Sequence, residues 1–154
     1  MINENYLYNG NVKVICKTSS GFVYEVKRKN NGTDRLFRGL CFSLLGYPFD
    51  ELKPQYITLA TVSDNSFTSL LNGPSSVSGT YDVDTNTVKF VGTISSYQVA
   101  DNQNKDHTYI CLLSGASGTI NGNVLAYIEA PQGINNIGAG TVLTIEWVMG
   151  FDNK

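Results

Sequence analysis

His107 stands four residues before Cys111, and it is the only histidine in a chain with three cysteines, Cys16, Cys41 and Cys111. A thiol and an imidazole are what a cysteine hydrolase needs, the imidazole taking the proton that makes the sulfur a nucleophile. On an extended strand, however, four residues span about 13 Å at ~3.3 Å each, which exceeds hydrogen-bond reach. Cys16 and Cys41 lie among apolar neighbours, so all three read as reduced core thiols. A single histidine also excludes metal sites built on two or three imidazoles.

Asp82, Asp84 and Asn86 place oxygen-bearing side chains at alternate positions, as the start of a calcium loop does. The pattern then fails, because the glycine of the sharp turn falls on Thr87 and the closing glutamate on Thr93. A turn between two strands accounts for Asp84-Thr85-Asn86 without a cation. Glu25, Glu129 and Glu146 are the strand-borne carboxylates from which a glycosidase pair would have to come. Each alternates with apolar residues, as outward charges on a strand do. No phosphate-binding G-x-x-x-x-G-K-[ST] run occurs, and Gly115-Ala116-Ser117-Gly118 is not followed by a helical pattern. The reading is of no catalytic residue, no cofactor and no metal site, that is, of a protein that is not an enzyme.

The elements that would position any site are strands. Of 154 residues only 16% are charged against 42% hydrophobic, and Gly, Ser, Thr and Asn are plentiful, a balance that suits strands and turns better than surface helices. A net charge of -2 argues against a broad grip on nucleic acid or anionic lipid. The one basic cluster, Lys27-Arg28-Lys29, reads as a solvated strand end. No apolar run is long enough to span a membrane. The odd cysteine count and the lack of a signal-like opening point to folding in a reducing cytoplasm. Asn31-Gly32-Thr33 then matches a glycosylation sequon by chance.

Residues 1–10 lack a sustained period and read as an amino-terminal arm, with 11–154 as one domain. Alternation over 11–18 and 22–26 around Ser19-Ser20-Gly21 predicts an antiparallel hairpin. Asn30-Asn31-Gly32 breaks it. Leu36, Leu40 and Leu44, with Phe37, Cys41 and Leu45, repeat at four-residue spacing and predict an amphipathic helix over 34–45 that lies on a sheet. Gly46 and Pro48 end it. Residues 66–71 suggest a turn or two of helix, and 72–76 a loop. Strand patterns follow at 56–61, 79–83, 87–94, 108–113, 123–130 and 141–151. In the last, Leu143, Ile145, Trp147, Met149 and Phe151 share one face. Many short strands with no later helices predict a mainly β fold, an antiparallel β-sandwich with one short amphipathic helix.

Val12-Lys13-Val14-Ile15, the segment 36–45, Asn123-Val124-Leu125-Ala126-Tyr127 and Leu143-Thr144-Ile145-Glu146-Trp147-Val148-Met149 occur in that order. This arrangement resembles small virion proteins of tailed bacteriophages, in which an amino-terminal hairpin and a short helix precede a β-sandwich. The resemblance implies a structural role in a head-tail connector, tail ring, fibre attachment or capsid decoration. It implies synthesis in the bacterial host cytoplasm, homo-oligomeric contacts, and other virion proteins as partners, with no nucleic acid or membrane. A carbohydrate-binding module is the alternative, with exposed tyrosines such as Tyr6, Tyr8, Tyr47, Tyr81 and Tyr97 as stacking surfaces. Tyr24 and Tyr109 alternate with apolar residues and read as core. The loop 131–140 is far longer than a hairpin needs. With its apolar Ile134 and Ile137 after Pro131, and with Tyr6 and Tyr8 of the arm, it is the expected interface.

Overall fold

The structure is a computed structural model, and it describes residues 6–17, 23–29, 31–32, 36, 41, 43–46, 53–64, 66–69, 75–94, 108–114, 120, 123–130 and 142–153. Ten strands are present: β1 Tyr6–Lys17, β2 Val23–Lys29, β3 Asn31–Gly32, β4 Tyr56–Ser63, β5 Ser66–Ser69, β6 Ser75–Asp82, β7 Thr87–Ile94, β8 Thr108–Leu113, β9 Val124–Glu129 and β10 Val142–Asn153. They form one antiparallel sheet in the order β2-β1-β10-β7-β6-β4-β8-β9-β3, with β5 on β4. The hairpin of β1 and β2 forms as its alternation predicts, with Val14 opposite Val26. β1 starts at Tyr6, so the second half of the polar opening segment lies in the ladder, opposite Met149 to Asn153.

The expected sandwich is not what the chain builds. The sheet is continuous and curls into a half-barrel, because β6 belongs to two ladders. Ser75 and Ser76 pair with Ile57 and Tyr56 of β4, whereas Val77 to Asp82 pair with β7. The curl brings β4 over β7 at Gly92. A Cβ there would lie 2.5 Å from Ile57 Cδ1 and 3.0 Å from Val77 Cγ1, so only glycine lets the two halves approach this closely. The strands at the two ends of this order, β2 and β3, are separated in sequence by Asn30 alone.

The concave face holds the main core: Val12, Val14, Ile57, Leu59, Ile94, Ile110, Leu112, Ala126, Ile128, Leu143, Ile145 and Trp147. β10 lies between β1 and β7, and its alternation places Leu143, Ile145 and Trp147 fully inside. Among the described residues the Trp147 Nε1 donor has no hydrogen-bond partner, and leaving such a buried donor unpaired costs about 1–3 kcal/mol. Burying roughly 150–250 Å² of indole at ~25 cal/mol per Å² contributes about 4–6 kcal/mol, so burial wins.

The short amphipathic helix is the second correction. No helix stands among the described elements. Within 34–45, Leu36, Cys41, Ser43 and Leu44 have helical backbone, and one closing turn is described. Leu45 N donates to Cys41 O at 3.3 Å and Gly46 N to Ser43 O at 3.1 Å. Gly46 takes φ +74° there, the left-handed conformation that ends helical segments at glycine. The apolar face expected to pack on the sheet is solvent-facing at its end, since Cys41, Leu44 and Leu45 are exposed. Residues 66–69 form β5 rather than a helical turn, held by Ala60↔Ser69 and Val62↔Phe67 pairing. Asp64 at φ 50° makes the tight turn from β4 possible.

Candidate functional site

Leu44 and Leu45 are 89% and 70% exposed, the most solvent-facing leucines described. The four-residue apolar repeat was legible in the sequence, but repeat alone does not say whether such a face meets the protein's own sheet or something else. The β6–β7 hairpin exposes Tyr81 and Val83, at 62% and 76%. Its turn is rigidly built. The Asp82 carboxylate accepts hydrogen bonds from Asp84 N at 2.9 Å and Thr85 N at 3.4 Å. The Tyr81 hydroxyl donates to Asn86 Oδ1, and Asn86 adopts φ 56°. Those backbone donors, with the Thr85 hydroxyl, hold the Asp82 carboxyl below its ordinary value. The stabilisation is therefore present above the ordinary carboxylate range and is lost as pH falls through the depressed value. Oxygens that looked like the start of a cation loop are used to close a turn.

The convex face of β4, β8 and β9 carries a second apolar cluster of Ala60, Cys111, Leu113, Ile120 and Val124, with Tyr56, Phe67, Tyr109 and Tyr127 packed against it. Phe67, Tyr109 and Tyr127 meet with centroids 5.3–6.1 Å apart. Interplanar angles of 84° for Phe67–Tyr109 and 70° for Tyr109–Tyr127 make these edge-to-face contacts, in which rings are spent on one another. They do not lie side by side as a flat stacking surface. Tyr109, expected in the core, packs against this second cluster and is half-buried. Cys111 is buried in the same cluster, and burial pushes its thiol well up, which makes it an inert structural sulfur. Cys41, expected inside, is an exposed free thiol.

Of the carboxylates considered for acid-base work, Glu25 and Glu146 flank one ammonium. Lys13 Nζ lies 3.4 Å from Glu25 Oε2 and 3.9 Å from Glu146 Oε2. This is charge pairing on an open sheet face. Glu129 is exposed on β9 opposite Tyr109. Among the described residues no group of three His, Cys, Asp or Glu side chains converges as a metal site would. A shallow groove beside β6 is lined by Ser75, Ser76, Ser78, Val91, Gly92 and Thr93, without a titratable side chain.

Tyr6 and Tyr8 lie in β1 opposite Asn153 and Phe151, and their side chains are outside the described residues, as is that of Cys16. His107, Pro131, Ile134 and Ile137 also lie outside the described residues. Sequence reasoning missed Phe67 and Tyr127 as partners of Tyr109; the near-continuous apolar run Tyr109-Ile110-Cys111-Leu112-Leu113 was the signal that β8 is covered on both faces. Searches of protein-family models, curated proteins and solved structures find no match to this chain.

Proposed function

We propose that this chain is a non-enzymatic structural and assembly protein of a tailed-phage virion, which contacts copies of itself and other virion proteins. The observation that carries the assembly role is the exposure of Leu44 and Leu45 on an apolar repeat. Each leucine taken out of water contributes about 1.5–3 kcal/mol, so a partner covering both gains a substantial part of a specific interface. The virion context rests on the order of strand patterns in the sequence. The sandwich that this resemblance implied has been replaced by a curled sheet, so the fold lends it no support.

The test is a Leu44→Asp and Leu45→Asp double variant, compared with the wild type by size-exclusion chromatography with light scattering and by electron microscopy. Wild-type protein should form a defined oligomer, and the double variant should run as a folded monomer with unchanged β-type circular dichroism. An oligomer of the same mass in both removes these leucines as the basis of assembly.

A further inference from the structure

We propose that the free edge of β6 pairs with β6 of a second copy about a two-fold axis at Thr80, extending the sheet across two molecules; this deepens the assembly reading above and rests on it.

Edge strands expose unpaired backbone groups, and proteins protect them by making them short, charged or bulged. β2 carries Lys27, Arg28 and Lys29, β3 has 2 residues and β5 has 4. β6 has 8 residues, Ser75–Asp82, with no Lys, Arg or Pro and a single charge at its end. Its residues from Ser78 to Asp82 are all exposed. Among the described residues no strand runs beside Ser78 to Asp82 on the side away from β7. Val77 N donates to Gln55 O at 2.9 Å, the last backbone bond described between β6 and the segment that leads into β4.

That hydrogen bond also sets which groups are free. Backbone polar groups alternate sides along a strand. Since Val77 points its N–H toward β4, Ser78, Thr80 and Asp82 bond to β7, and Gly79 and Tyr81 aim theirs outward. No described strand pairs with this side. An antiparallel copy centred on Thr80 sets Gly79 opposite Tyr81 twice, forming four backbone hydrogen bonds. It places Thr80 against Thr80 and Asp82 against Ser78, so no like charges meet. Tyr81 of one copy then reaches the Phe90 ring that covers Gly79 of the other, where a Cβ built on Gly79 would lie 2.9 Å from Phe90 Cε1. Centring the axis on Asp82 instead would set two carboxylates face to face, which disfavours that register.

The test uses the full chain and sedimentation equilibrium over micromolar to about 1 mM concentration. Thr80→Lys and Thr80→Asp each put like charges on the axis of an exposed position. Each variant should keep the wild-type circular dichroism and weaken self-association at least ~10-fold, and an equimolar mixture of the two should restore it. Wild-type association that is unaffected by either substitution overturns the β6 pairing while leaving the Leu44 and Leu45 assembly role standing. A wild-type chain that stays monomeric throughout overturns both.

Discussion

The two convex faces of the curled sheet are built on opposite terms. Over β2, β1, β10 and β7 the outward positions include Lys13, Glu25, Lys89, Thr144 and Glu146, and a lysine sits between two glutamates. Over β4, β5, β8 and β9 the outward positions hold Tyr56, Ala60, Phe67, Tyr109, Cys111 and Tyr127. There a buried Thr58 hydroxyl is matched to Ser69 Oγ at 2.8 Å. The first face mixes these charges with half-buried Ile15, Val91 and Val148; the second is a small core of its own, roofed in part by Ile120. β10 therefore shows clean alternation, while β8 is apolar at nearly every position. The pattern of a strand thus reports how many of its faces are dry, and here it does so for neighbouring parts of one sheet.

Three substitutions sharpen this contrast, starting with the concave core that both halves share. Trp147→Ala should cost about 3–5 kcal/mol in a denaturant titration, since the indole is fully buried between Ile145 and Met149 on the inner face. A loss under about 1 kcal/mol would mean that the indole contributes little to the core. Phe67→Ala tests whether the aromatic convex face is a true second core. It removes two ring contacts from a half-buried site and should cost about 1–3 kcal/mol, measured in the same way. If it were neutral, the cluster would be surface decoration. Lys13→Gln probes the charged face, where both ion pairs are partly exposed and screened, so the change should stay under about 1 kcal/mol and shrink further in high salt. A larger, salt-independent loss would put that face among the structural cores and erase the difference between the two.

Much of the strand content was legible. β7 and β8 occur where alternation and apolar runs place them, and Leu143, Ile145 and Trp147 of β10 lie inside as expected. These are local properties: side chains on a strand alternate whatever the strand pairs with. β5 was read as a helical turn because Ser66-Phe67-Thr68-Ser69 is too short to show a period, and its state is decided by pairing with β4. Leu44 and Leu45 show the converse, a clear period whose last turn faces solvent although Leu36 at its start is buried.

The amino-acid sequence by itself determined that the chain is mainly β, that Leu143, Ile145 and Trp147 of β10 face inward, and that Asp84-Thr85-Asn86 closes a turn. Only the tertiary structure decided that the strands join into one curled sheet instead of two stacked ones. That outcome depends on β6 changing partner after Ser76 and on Gly92 admitting Ile57. Each of these is a contact between segments distant in sequence, and local periodicity carries no record of which distant strand supplies the next hydrogen bond.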